Sequence, residues 1–404
     1  MDHSHGPEAA MSDEADALYR PLGGLEPWAA APVDEAAWDD ALDRLRILRA
    51  DHPDWSDMVT RGAVLAAAHQ SGALDGMHRG DRDVTMALVR GEVSPASLDE
   101  ATRAHVRANA DALYLSRDVD VTEDSIRRTH EVACGPQLTH RVRVENRVQD
   151  HVLAAGDCKH HPNHVRTEAG NWLATAPVAQ VPAEMATLVE AARSAAFAAL
   201  HPVTRAAYLH HALLHVQPFA DGNGRVARAL AGGSLLRAAS VPLLVFADDA
   251  ASYHDAHSPA ALVDLIGRAA AGLVDMLVAS DHHGEALDRW RERSQAADAL
   301  LRRLVPAVEE ALRRHHDRPP RARRADLSGA AVTWSEAVVI RVPIGPGRTV
   351  EEVLTVDVEP AESDGPVSVT AAEAGLRLGA TPVDGWLDRV VSTLALRVAA
   401  ELED

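Results

Sequence analysis

A mainly α-helical protein with a short β-hairpin, followed by a small α+β domain, is the fold class this sequence predicts, on three observations. From 34 to about 280 apolar residues recur at helical spacing in almost every window: Leu42, Leu45, Ile47 and Leu48, then Val64, Leu65 and Ala68, then Leu209, Leu213 and Leu214. Near 165 to 181 the string HVRTEAGNWLATAPVAQVP interrupts that spacing. It sets Thr, Trp and Val around Gly170 and ends in Pro, the composition of an exposed hairpin. Beyond about 325 the period becomes two. AAVTWSEAVVIRVPI, EEVLTVDVEP and GPVSVTAAEA alternate as strands do, and the amphipathic segment VDGWLDRVVSTLALRVAAELE predicts a closing helix.

Taken in order, residues 1–33 carry several Gly and Pro and read as a loosely ordered N-terminal segment. Residues 34–285 form the helical domain, with one helix near 60–76. Residues 286–324 comprise the helix LDRWRERSQAADALLRRLVPAVEEALRRH and the proline-broken basic run RPPRARRAD at 318–326. The run reads as a solvated linker, a docking patch for an acidic partner being the other reading. Residues 325–404 form the small α+β domain, and no internal repeat is visible.

Composition narrows the function. The 404 residues are 47% apolar, enough for a large core, and only 3% aromatic, with alanine abundant as in tightly packed helices. A formal net charge of -20 leaves no large basic surface to displace counterions, so nucleic acid is not an expected partner. The longest apolar run, VPLLVFA at 241–247, is broken by Pro242 and stops at Asp248 and Asp249, so no membrane span is expected. Two cysteines, Cys134 and Cys158, are too few for a disulfide framework, and MDHSHGPEAA lacks the features of a signal peptide. The expected location is cytoplasmic. A homodimer is an assembly the sequence leaves open.

The most informative stretch is HVQPFADGNGRVAR, His215 to Arg228. Pro218 disfavours the α conformation at Gln217, so the helix through Leu214 should end there. Helical spacing resumes at Val226, Leu230, Leu235 and Leu236. Asp221, Gly222, Asn223, Gly224 and Arg225 therefore link one helix to the start of the next. Two glycines let backbone N–H groups converge on an anion, the helix start adds partial positive charge, and Arg225 and Arg228 add two permanent cations. A carboxylate at Asp221 in such company fits a divalent cation shared with phosphate oxygens.

The string P-F-x-D-G-N-G-R-x-x-R resembles the Fic (Fido) family signature H-P-F-x-[DE]-G-N-G-R-x-x-R. HPVTRAAYLHHALLHVQPF looks like its motif-bearing helix, GNWLATAPVAQVP like its flap, and LLRAASVPLLVFADDAASYHDA fits its helical remainder, so the resemblance spans roughly 60 to 280. It implies a helical bundle that transfers AMP from ATP to a Ser, Thr or Tyr hydroxyl of a protein target. It implies that Asp221 holds Mg2+ and Asn223 binds the α-phosphate. Gly222 and Gly224 would shape the cradle, Arg225 meet the β-phosphate and Arg228 the γ-phosphate. Gly170, Asn171 and Trp172 would align a target by strand addition. QSGALDGM, 70–77, resembles the family's inhibitory helix, with Ser71 and Asp75 in its pattern. Asp75 stands for a glutamate that pairs with the second arginine, and being one methylene shorter, it is expected to pair more weakly or through water.

The departure is Gln217, in the place of the family's histidine base. An amide has no nitrogen that titrates near neutrality, and losing general-base catalysis costs ~10²- to 10⁴-fold. On a helix His215 would lie roughly 200° away, and His210 about 10 Å lower. Three readings stay open: nucleotide and Mg2+ binding with little or no transfer, phosphate chemistry that needs no base, or an interaction protein keeping the loop as a relic. Cys158, His160, His161 and His164 lie within seven residues and are weighed as a Zn2+ site, but the spacing favours a polar loop.

Overall fold

The computed structural model describes residues 16–51, 56–93, 95–144, 147–163, 165–166, 172–279, 284–320, 322–334, 337–345, 348–357, 368–371, 373–378 and 383–403. The chain divides into two compact units, Met1–His283 and Gly284–Asp404.

In chain order the first unit runs α1 (Glu26–Ala29), α2 (Glu35–Asp51), α3 (Ser56–Leu74), α4 (Arg82–Val89), α5 (Glu100–Asp118), α6 (Glu123–Cys134), then the antiparallel pair β1 (Thr139–Val144) and β2 (Arg147–Val152). There follow the pair β3 (Val165–Arg166) and β4 (Trp172–Leu173), then α7 (Val181–Arg193), α8 (Ala195–Ala198), α9 (Pro202–Val216), α10 (Asn223–Ala239), α11 (Ala250–Asp255) and α12 (Pro259–Ala279). Start signals in the sequence explain several boundaries. Asp99 caps α5 through the Thr102 N–H, Thr122 and Ser125 make a reciprocal capping box on α6, and Pro202 opens α9. The core is a stack in which α9 packs on α10, α10 on α5 and α5 on α3. Val64, Val106, Leu113, Tyr208, Leu213, Val226 and Leu235 are all buried in the unit. Burying each large apolar side chain contributes roughly 1.5–3 kcal/mol.

Two expectations for the first unit need correcting. The N-terminal segment read as loose is docked from Tyr19 onward, and residues 1–15 lie outside the described residues. Tyr19, Leu22 and Trp28 are buried, the Trp28 ring meets Tyr208 and His211, and the Leu22 N–H donates to Glu184 Oε2 at 2.9 Å. Three large apolar side chains outweigh the local glycine and proline content. The β1–β2 hairpin also lies inside what was read as helical domain, with a strand signal expected only near 165 to 181. Its signal was present, since THRVRV and RVQDHV alternate with period two, but the pattern is too polar to register as a buried strand. The expected strand signal near 165–181 corresponds to β3 and β4, two residues each.

The second unit contains α13 (Gly284–Asp317), five antiparallel strands in the order β5-β6-β7-β8-β9 (Ala331–Trp334, Ala337–Gly345, Arg348–Asp357, Ser368–Ala371, Leu376–Leu378) and α14 (Val383–Glu403). Period two puts Val338, Ile340 and Val342 of β6 beside Leu354, Glu352 and Val350 of β7 on one face, buried together with Leu304, Val308, Trp386, Val390 and Leu394. The helix placed with a linker is therefore part of this core. The basic run begins tied down, with Arg318 donating to Ser392 Oγ at 3.0 Å. Glu352 is fully buried, and burial pushes its carboxyl above the usual range despite Arg397 at 3.0 Å.

Candidate functional site

Four backbone and side-chain devices hold the turn between α9 and α10. Gln217 ends α9 in the left-handed region (φ 48, ψ 61), its N–H donating to Leu213 O at 2.8 Å; ahead of Pro218 it cannot continue the helix. The Asn223 side chain closes on the backbone of Phe219, with Oδ1 accepting its N–H at 3.0 Å and Nδ2 donating to its carbonyl at 2.8 Å. The His130 ring lies flat on Phe219 at 3.9 Å. His130 Nδ1 accepts the Gly156 N–H at 2.8 Å, so Nε2 carries the proton and donates to Asp221 O at 2.9 Å. Burial pushes His130 down to about 4, which keeps that neutral tautomer at ordinary pH. Gly222 has φ +76, and a Cβ there would come within 2.3 Å of the Cys134 sulfur, so only glycine fits. α10 begins at Asn223 with no side chain capping its N-terminus.

The charged cluster forms above that turn. Asp75 Oδ2 accepts from Arg225 Nε at 3.0 Å and Oδ1 from an Arg228 NH2 group at 2.5 Å, so one carboxylate bridges both guanidiniums directly. The contact is direct, and the water bridge expected as one outcome of the shorter side chain does not form. The reason lies in the end of α3. Gly76 (φ +73) follows the helix, and the Met77 N–H returns to Gly72 O and the Gly76 N–H to Ala73 O, a Schellman stop that fixes Asp75 at the C-cap. A carboxylate at a helix C-terminus opposes the helix dipole, and the arginines offset this. Burial alone would raise the Asp75 carboxyl, but Arg228 and Arg225 more than reverse that and hold it below its ordinary range.

Arg228 is saturated on other sides. Its Nε donates to Ser71 Oγ and an NH2 nitrogen to Ser71 O, both at 2.9 Å, and NH1 reaches Tyr253 Oη at 3.4 Å. Burial pushes its pKa down, yet Asp75 and Tyr253 raise it above the ordinary arginine value. Tyr253 Oη in turn lies 2.6 Å from His210 Nε2, and burial holds His210 down to about 3. His215 Nε2 meets Arg20 O at 2.7 Å. Both neighbouring histidines are thus engaged away from Gln217.

Asp221 has two partners. Oδ1 accepts the Gly222 N–H at 2.7 Å, and Oδ2 accepts from Gln137 Nε2 at 2.8 Å, while Gln137 Oε1 accepts from Arg225. Among the described residues no group of three or more His, Cys, Asp or Glu could hold a metal ion. The donor at hand, the Asp221 carboxylate, is a hard oxygen suited to Mg2+, with phosphate and water to complete the shell, while Gln137 turns its NH2 group and not its oxygen toward it.

Beside the turn, Cys158 bridges to Phe219 as an isolated β pair, and the Lys159 N–H donates to Pro218 O at 2.7 Å. Lys159 Nζ is buried on Asn163 Oδ1 (2.6 Å) and Thr175 Oγ1 (3.2 Å), and Asn163 Nδ2 donates to Phe219 O at 2.8 Å. Burial lowers Lys159 to about 8. Trp172 lies in β4, whereas Gly170, Asn171 and His164 fall outside the described residues. His160 and His161 follow the Cys158 contact in sequence, and among the described residues they join no group of three or more possible metal ligands. Gln137, His130, Tyr253 and Lys159 carried no local signal, since each is an ordinary residue until packing brings it to the turn.

A helical domain whose glycine-bent turn opens a helix carrying two buried arginines is the class this geometry defines. Residues 121–233 match the Fic/DOC family model, and the chain carries a Fic/DOC domain there. Over 55 residues the chain is 44% identical to the protein adenylyltransferase Fic of Drosophila persimilis, which is 14% of this chain and 11% of that protein. It is 41% identical over 56 residues to the namesake of Nematostella vectensis, 14% and 13% of the two chains. The chain thus spans about a tenth of the length of the curated relatives it matches. Among solved structures it is similar to a Fic domain containing signaling protein from Bacteroides thetaiotaomicron (21% identity, TM-score 0.46, 60% of this chain and 96% of that one). A Fic family protein from Desulfovibrio desulfuricans is likewise similar (19%, TM-score 0.47, 65% and 78%).

Proposed function

We propose that the first unit binds ATP with Mg2+ at the α9–α10 turn, and that Asp75 holds the site in a form closed to the terminal phosphate. One observation carries this reading: the two arginines assigned to the β- and γ-phosphates already converge on a single anion, the Asp75 carboxylate, 3.0 and 2.5 Å away. The uncapped start of α10 adds N–H donors and partial positive charge. Asn223, with its amide spent on Phe219, would act on the α-phosphate chiefly by holding the turn in shape. Asp221 would hold Mg2+, which when bound neutralises phosphate charge.

The reaction class that fits is AMP transfer to a Ser, Thr or Tyr hydroxyl of a protein target, in a cytoplasmic setting consistent with two free cysteines. The hydroxyl oxygen would bond to the α-phosphorus as the bond to the β-phosphate's bridging oxygen breaks, releasing diphosphate. The hydroxyl proton has no side-chain base at Gln217 to receive it. That amide favours a second reading, an inactive, nucleotide-responsive binding or regulatory protein. No described helix is long and apolar enough to cross a membrane.

The test compares Asp75→Ala with Asp75→Ala/Gln217→His, each incubated with α-labelled ATP, Mg2+ and cell lysate. Label on protein with the double variant alone supports binding without transfer in the natural chain. Label with both supports transfer that needs no histidine. No ATP uptake by Asp75→Ala in calorimetry with Mg2+ ends the nucleotide reading.

A further inference from the structure

We propose that Gln137 is an additional binding residue of this site, one whose amide stands where a cation and a phosphate oxygen would each sit, and which thereby selects the metal–polyphosphate pair over either part alone. The inference rests on the nucleotide reading above. Gln137 lies in the step between α6 and β1, half-buried, with its two amide ends on two functional groups of opposite charge. Nε2 presents its N–H to Asp221 Oδ2 at 2.8 Å, as a cation would present positive charge. Oε1 accepts from the Arg225 guanidinium, as a phosphate oxygen would.

Neither partner depends on Gln137 for its orientation. The other oxygen of Asp221 is held by the Gly222 N–H at 2.7 Å. Arg225 is held by Asp75 at 3.0 Å and by the Ala133 carbonyl at 3.3 Å. Gln137 therefore competes for these groups more than it builds them. Because one rigid amide makes both contacts, they are broken together. A cation settling alone on Asp221 strips Arg225 of an acceptor, and an anion settling alone on Arg225 strips Asp221 of a donor. A ligand carrying both charges restores both at once. Such linkage is reciprocal, so each half of the ligand must strengthen binding of the other by the same factor.

The experiment uses the full chain, as wild type and in the Asp75→Ala background, each with Gln137, Gln137→Ala or Gln137→Met, the last keeping side-chain length without donor or acceptor. Mn2+ binding without nucleotide is read by electron paramagnetic resonance, and ATP binding by calorimetry with Mg2+ and with a chelator. Removing one charge-assisted hydrogen bond is expected to tighten Mn2+ binding alone by about tenfold in both Gln137 variants. The factor by which Mg2+ strengthens ATP binding should shrink by a similar amount. Unchanged Mn2+ affinity and unchanged coupling would overturn the proposal, as would weaker Mn2+ binding, which would make Gln137 a ligand and not a competitor. If no chain binds ATP, the nucleotide reading fails and this inference with it; if ATP binds and only the Gln137 variants behave as wild type, the inference alone fails.

Discussion

Replacing Asp75 by alanine removes the carboxylate that two buried guanidiniums share. The Arg225 side chain is 0% exposed and that of Arg228 is 6% exposed. Breaking a buried ion pair by deleting one partner costs about 3–5 kcal/mol, because the remaining charge stays buried. Two features of the structure moderate that. Arg228 keeps Ser71 and Tyr253, and Arg225 keeps Ala133 O and Gln137. The end of α3 also sheds a carboxylate opposed to its dipole, worth about 0.3–1 kcal/mol. The expected net loss is about 2–4 kcal/mol, a fall of roughly 4–16 °C in Tm for a domain of this size. Scanning calorimetry of the full chain reads it as the transition of the first unit. Adding ATP and Mg2+ at a hundredfold excess over Kd should restore about 2.7 kcal/mol in the variant. In the wild type the nucleotide must first displace Asp75, so the same addition should raise Tm much less. Asp75→Ala melting with the wild type, or ATP raising both chains equally, would refute the assignment of Asp75 as the group that closes the anion site.

Asn223→Ala opens the Phe219 turn and strands a buried N–H and carbonyl, at roughly 1–3 kcal/mol each; Asn163 still serves the carbonyl, so a loss near the lower end is expected in urea melts, and none at all would contradict the latch. Gly222→Ala should cost about 1–3 kcal/mol for its backbone conformation, and more for the collision with the Cys134 sulfur. Adding Cys134→Ala should recover only the collision part, which full recovery or none would disprove. Acid should destabilise the first unit early. Burial holds His130 and His211 down to about 4 and His210 to about 3, whereas the unfolded chain takes those protons near 6.5. Stability is therefore full above about pH 6.5 and drains as pH falls toward 4, with His130 alone accounting for roughly 3 kcal/mol. The Asp75 contribution, from a depressed carboxyl, is lost only at still lower pH. A urea midpoint that stays flat from pH 7.5 to 4.5 would show these rings to be exposed to protonation in the native state.

The helices that carry the site were legible because their spacing is local. Leu209, Leu213 and Leu214 fall in α9, Val226, Leu230, Leu235 and Leu236 in α10, and the period-two runs after 325 became β5 to β8. The same locality made Asp221 to Arg228 readable, since loop, glycines and helix start are contiguous, and a family match covers them. The β1–β2 hairpin was missed because a two-stranded, polar pair buries too little to impose an apolar pattern. The docking of residues 19–28 was missed because it depends on what Tyr208, His211 and Glu184 offer from elsewhere.

By itself, then, the sequence determined the periods, the breaks and the motif: where helices run, that Pro218 stops one, and that the residue before it is an amide and not an imidazole. Tertiary structure alone decided how the charges are shared. Asp75 meets Arg228 across 153 residues, and Gln137 meets Asp221 across 84. The physical reason is that backbone periodicity is written between neighbours in the chain, whereas ionic and hydrogen-bond partners are chosen in space. Which groups burial brings within 3 Å of one another depends on how helices stack and where they stop.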